Sequence, residues 1–280
     1  MDWLTDPFAL AFQQRALLGG ALAAVATSAA GIWVVVRGMT FLGDALVHGV
    51  VPGIAIATLV GFDPAIGAAI AAVVMIGGIR LVHRQTAFSE DTGIGLLFVG
   101  MLGLGVILIS RTASYTGSLT AILFGNAFGV TGGDLIWLGM VAIITVAGSL
   151  LFYRRFLVLS FNEQKAQLLG LRPGLSHGVL LALTTLAIIG SSRTVGTLLV
   201  LGLMVAPPAT AALLVRRVPA MMAVSVAIGI GSVAAGLVVS YHAGTSGSAT
   251  MAVLPVVLFF VVLTARTLAN GHRERATAAA

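Results

Sequence analysis

Long apolar runs, broken by short polar stretches, recur along almost the whole of this sequence. Crossing the hydrocarbon core of a bilayer takes about 20 mostly apolar residues in a helix. Candidate spans of that kind fall at 16–36, 41–60, 62–80, 91–110, 134–152, 174–192, 194–215, 219–240 and 249–267, which makes nine. Only 9% of the residues are charged, against about 25% in a typical soluble domain. No soluble fold could cover that much apolar surface with so few charges. The pattern predicts an all-α polytopic membrane protein of about eight or nine transmembrane helices, forming one transmembrane domain over residues 1–280.

The basic residues orient the spans. If Arg37 is cytoplasmic, twelve of the fifteen Lys and Arg residues fall on the inner side, and only Arg15, Arg111 and Arg193 on the outer. This asymmetry fits the positive-inside rule, and the opposite orientation violates it. It also accounts for the net charge of +6 without a nucleic-acid partner. An odd number of spans then puts the N-terminus outside and the C-terminus in the cytoplasm. The opening "MDWLTDPFALAFQQRALL" lacks a basic start, and residues 1–15 read as an uncleaved interfacial segment. Residues 118–130, "SLTAILFGNAFGV", are apolar but too short to cross and read as re-entrant or interfacial. Residues 154–174 form the longest polar-rich connection, in which "NEQKAQLLGL" predicts a short amphipathic helix on the cytoplasmic face. The tail at 269–280 reads as loose.

The functional question lies in one acidic residue. Of nine Asp and Glu residues, Asp2 and Asp6 are terminal, Asp63, Glu90, Asp91 and Asp134 lie at span ends, and Glu163 and Glu274 lie in a loop and the tail. Only Asp44, in "GDALVHGVVPG", falls inside an apolar run, and His48 stands four residues on. A carboxylate deep in the bilayer costs about 2.5–3.5 kcal/mol even on insertion scales, so it needs a cavity, a partner or an ion. Residues i and i+4 share a helix face, and carboxylate oxygen and imidazole nitrogen both bind Zn²⁺ and Mn²⁺. One pair is a sparse shell; two copies across a dimer axis would supply two Asp and two His. The alternative is that Asp44, following Gly43, caps the helix N-terminus and His48 is a buried histidine with a backbone partner. Spacing leaves both readings open.

Other features are plainer. "FSEDTGIG" at 88–95 reads as a helix start, with Ser89 as cap and Glu90 and Asp91 in the first turn. His83, His177, His242 and His272 lie at span ends or in loops, without ligand spacing. Gly49 and Gly53 match GxxxG, but with 35 glycines in the chain ordinary packing explains the match. The chain has no cysteine, which excludes thiolate metal sites, and no GxxxxGK[ST], which excludes a P-loop for ATP.

Five blocks, in order, carry a resemblance: "RGMTFLGDALVHGVVPGIAIATLVG" (37–61), "SEDTGIGLLFVGMLGLGVILIS" (89–110), "LFGNAFGVTGGDL" (123–135), "NEQKAQLLGL" (162–171) and "VGTLLVLGLMVAPPATAALL" (195–214). Together they resemble the permease subunit of bacterial ABC importers for zinc, manganese or iron, the ABC-3 metal permease family. The resemblance implies a type II importer arrangement in the plasma membrane. It implies a homodimer with separate cytoplasmic ATPase subunits and an extracytoplasmic metal-binding protein. This chain would then be no enzyme itself and would hold no stable cofactor; the metal ion, zinc or manganese or else iron, would be cargo. Asp44 and His48 match the family's metal-coordinating pair. Asn162, Glu163, Lys165, Leu169 and Gly170 match the stretch that docks on the ATPase. Two departures stand out: Gly49 replaces a more usual Ala, which small-for-small exchange should tolerate, and Pro208 replaces a common Ala, which should alter the bend of its span. A permease for a larger metal chelate, a proton-coupled metal transporter and a structural membrane scaffold are the competing readings.

Overall fold

The structure, a computed structural model, describes residues 6–85, 90–110, 127–161, 167 and 171–278. A 3-10 turn, Asp6–Ala9, leads into α1 (Ala11–Val36). The second expected span is broken into α2 (Phe41–Gly49) and α3 (Val51–Val60). Then follow α4 (Pro64–Gln85), α5 (Glu90–Ser110), a 3-10 turn at Ala127–Gly129, α6 (Gly132–Leu151) and α7 (Tyr153–Phe161). The chain continues as α8 (Pro173–Val195), α9 (Thr197–Leu214), α10 (Val218–Ala243) and α11 (Gly247–Ala278).

Eight spans among the described residues are long and apolar enough to cross a membrane, with α2 and α3 counting as one. The ninth expected span falls on α4, whose apolar stretch, Ile66–Val82, is shorter. The helical polytopic architecture is therefore the one the hydropathy predicts. Gly196, at φ 89° and ψ 150°, divides α8 from α9; this is backbone space that glycine alone occupies freely. Helix α11 runs on through Ala278, because Ala, Arg and Glu are good helix formers and extending a formed helix needs no new nucleus.

The helices pack in two groups. Central α1 lies against α6, α8, α9 and α10, and α11 closes this group over α9 and α10. The smaller group is α2 to α5, joined to the first where α2 and α4 meet α8 and α2 meets α9. Polar anchors hold α1 in place. The Trp33 indole N–H donates to the Ser149 hydroxyl, and that hydroxyl donates to the Ala29 carbonyl at 3.0 Å. Trp33 also meets Tyr153 and Phe156 edge to face, at 5.6 Å and 5.4 Å between centroids. These contacts clamp α7, the element just before the polar connection, beneath α1.

Pro207 and Pro208 lie within α9, which continues as one helix through both. Pro208 has no N–H to give the Met204 carbonyl. That oxygen faces Gly31 of α1 so closely that a Cβ there would lie 2.1 Å from it. The two backbones approach as only glycine permits, and a Cα–H contact takes the place of the missing donor.

Candidate metal centre

Asp44 sits inside α2 and does not cap it. The N-cap is Thr40, and α2 starts at Phe41, which puts Asp44 at the end of the first turn. The helix begins four residues earlier than a capping role for Asp44 requires. One turn on, His48 Nε2 lies 3.5 Å from Asp44 Oδ1, with the two side chains 31% and 38% exposed. This is longer than a good hydrogen bond. It matches the separation of two ligands on one cation: bonds of about 2.1 Å at a tetrahedral angle place the ligand atoms about 3.4 Å apart.

The surroundings set the helix face. On the buried side, Gly43 lies against Met204 of α9, and Gly49 against Met75 of α4. Both methionines are fully buried, so this side is packing. On another flank, Phe98 of α5 stands edge to face with His48 at 6.0 Å and with Phe41 at 5.2 Å. Just past His48 the helix breaks at Val50 and resumes at Val51. Pro52 causes the break, since it cannot donate to the His48 carbonyl. Beyond the break, a Cβ on Gly53 would lie 2.1 Å from the Gly67 carbonyl, and one on Gly67 would lie 2.2 Å from that of Gly53. Gly49 and Gly53 thus pack α2 and α3 on α4, the ordinary packing expected of the GxxxG match.

Among the described residues, no three His, Cys, Asp or Glu side chains gather at one point. Two ligands from one chain leave a metal shell short, so a tetrahedral site here needs ligands from elsewhere. The polar connection residues Asn162, Glu163, Lys165, Leu169 and Gly170 lie outside the described residues, as does the Ser89 cap and most of 118–130. Helix α5 is described from Glu90 onward, with Glu90 and Asp91 at that end. Of the re-entrant stretch, Phe128 is described; its ring meets Phe12 of α1 edge to face at 5.8 Å.

Two contacts were not legible in the sequence. His177, expected at an interface, is 7% exposed, and its Nδ1 lies 3.0 Å from Arg37 Nη1. Nothing in a separation of 140 residues marks that pair. Phe98 was equally silent, since an aromatic residue in an apolar span is ordinary.

A bundle of apolar spans with an ionisable pair set into one of them defines a polytopic membrane protein. The chain belongs to the ABC 3 transport family, whose model matches residues 9–266. It is 35% identical over 250 residues to the manganese transport system membrane protein MntC of Listeria monocytogenes, covering 89% of each chain. It is 32% identical over 262 residues to a probable iron transport system membrane protein of Haemophilus influenzae, covering 94% of this chain and 96% of that one. Among solved structures, PsaBC from Streptococcus pneumoniae in complex with Fab superposes with a TM-score of 0.80 at 27% identity, covering 93% and 94% of the two chains.

Proposed function

We propose that this chain is the membrane subunit of an ATP-driven importer that passes a divalent transition-metal ion, zinc, manganese or iron, into the cytoplasm. The observation that carries this is the Asp44–His48 pair, held inside a span at the separation of two ligands on one ion. Relatives named for manganese and iron transport support the cargo class. In this reading two copies face each other, so that two carboxylates and two imidazoles meet the ion. Two carboxylates neutralise its charge, which lowers the cost of carrying it through a low-dielectric region.

The cycle is alternating access. An extracytoplasmic binding protein delivers the ion to the dimer axis. Asp44 and His48 replace part of its water shell. Partner ATPases act on the cytoplasmic stretch that includes Asn162, Glu163, Lys165, Leu169 and Gly170, and so reverse access. The site is weak by design, because a closed shell as tight as a structural zinc site would hold the cargo. The C-terminus and the twelve inner basic residues lie on the cytoplasmic side of the plasma membrane.

The test is uptake of ⁵⁴Mn²⁺ and ⁶⁵Zn²⁺ by vesicles carrying the full complex. Asp44→Ala and His48→Ala should each abolish ATP-dependent uptake. If both variants transported normally, the site assignment would be wrong. Uptake driven by a proton gradient without ATPase would instead favour a secondary transporter.

A further inference from the structure

We propose that Phe98 is a positioning residue for His48, and that it holds the imidazole in the orientation that meets the ion. This rests on the reading of Asp44 and His48 as the metal pair. Phe41 and His48 are seven residues apart, so they lie on one stripe of α2, two turns from each other. Phe98 comes from a different helix, α5, and touches both rings edge to face, at 5.2 Å and 6.0 Å, with interplanar angles of 79° and 66°. A ring that reaches both must sit between them, at the level of Asp44. It therefore walls one flank of the pair. Phe98 is itself partly buried and packed on the main core, so its position is set from behind.

Two consequences follow. First, a partly exposed histidine in a helix has two common staggered χ1 wells, and the one it occupies here places Nε2 3.5 Å from Asp44. Edge-to-face packing against a fixed ring selects among them. Aromatic pairs of this kind are favourable beyond the area they bury, so the selection is substantial. Secondly, an apolar wall strengthens the attraction between the carboxylate and an ion beside it, because the local dielectric falls. It also closes that flank to water, so the ion's remaining ligands must come from the open side.

Loss of the ring should weaken capture of the ion. In vesicles carrying the full complex, Phe98→Leu should raise the KM for Mn²⁺ about three- to tenfold, from about two rotamer wells and a lost aromatic pair, while kcat changes less than twofold. Phe98→Tyr keeps the ring and should restore the KM. Mn²⁺ binding to the purified complexes, followed by its paramagnetic resonance signal, should weaken by the same factor. Leucine keeps the site apolar, and an unchanged elution profile and melting temperature would show the complex intact. An unchanged KM and Mn²⁺ affinity in Phe98→Leu would overturn the proposal, as would a Phe98→Tyr variant as impaired as Phe98→Leu. These outcomes separate from failure of the underlying reading: there, His48→Ala transports normally, whereas here His48→Ala is dead and Phe98→Leu is unaffected.

Discussion

Replacing Gly31 by alanine should force α1 and α9 apart, whereas the same change at Gly43 should not. A Cβ at residue 31 would lie 2.1 Å from the Met204 carbonyl oxygen and 3.0 Å from its carbon. Ordinary contact begins at 3.4 Å, so the backbones must part by about 1 Å. No rotamer relieves this, because the obstacle is main chain in a buried helix. At Gly43 the added Cβ would lie 2.0 Å from Met204 Cε, the far end of a flexible side chain. There the cost is a rotamer change, about 0.5–1.5 kcal/mol. Overpacking against a fixed backbone costs about 1–3 kcal/mol. At about 2–4 °C per kcal/mol for a chain of this order, Gly31→Ala should lower the melting temperature of the detergent-purified complex by about 2–12 °C. Met204→Leu supplies the control, since it trades volume for volume and withdraws the terminal methyl. It should restore the melting temperature of Gly43→Ala and leave that of Gly31→Ala depressed. A Gly31→Ala variant with the parental melting temperature, or one rescued by Met204→Leu as fully as Gly43→Ala, would refute the backbone approach.

Three further outcomes are expected. Asp44→Asn keeps the shape but removes the charge, and should lower the Mn²⁺ affinity of the complex by at least about tenfold, since even partners outside a ligand shell are worth about 10–100-fold; equilibrium binding checks it. Pro52→Ala restores the donor to the His48 carbonyl and should straighten α2 into α3, so uptake falls while the melting temperature holds or rises. Trp33→Phe removes the donor to Ser149 and loosens α7, and should destabilise the complex by about 1–3 kcal/mol, the cost of a lost buried hydrogen-bond partner, seen as a lower melting temperature.

Hydropathy located the spans within a few residues because a bilayer demands long apolar helices whatever their packing. The proline-driven break after His48 was legible for the same kind of reason: a missing N–H is local chemistry. The role of Asp44 was not. Capping and pairing both suit "GDALVH", and the choice turns on where the helix begins. It begins at Phe41, after a turn in which Gly38 takes a φ of 70°. Helix α7 shows the other limit. "YRRFLVLSF" reads as the start of a polar connection, yet Phe156 is buried under Trp33, a partner more than a hundred residues away. Phe98 and His177 likewise owe their places to helices that meet only in the folded bundle.

The spans differ in how far a single copy covers them, and those around the candidate site are covered less than the central helix. In α1, 72% of the apolar window is buried within the chain; over Phe41–Val60 the share is 50%, and over Asp91–Leu108 it is 17%. A central helix such as α1 is complete in one copy. The helices that carry Asp44, His48 and Phe98 are not. Apolar surface left open on α5 is at no disadvantage against lipid, but the half-open carboxylate of Asp44 is. Lipid is therefore the wrong neighbour for this face. What suits it is water, an ion or a second carboxylate–imidazole pair. On the proposed reading, a dimer axis passing beside α2 would supply all three at the Asp44 carboxylate. It would also complete the shell that the two candidate ligands of one copy leave short.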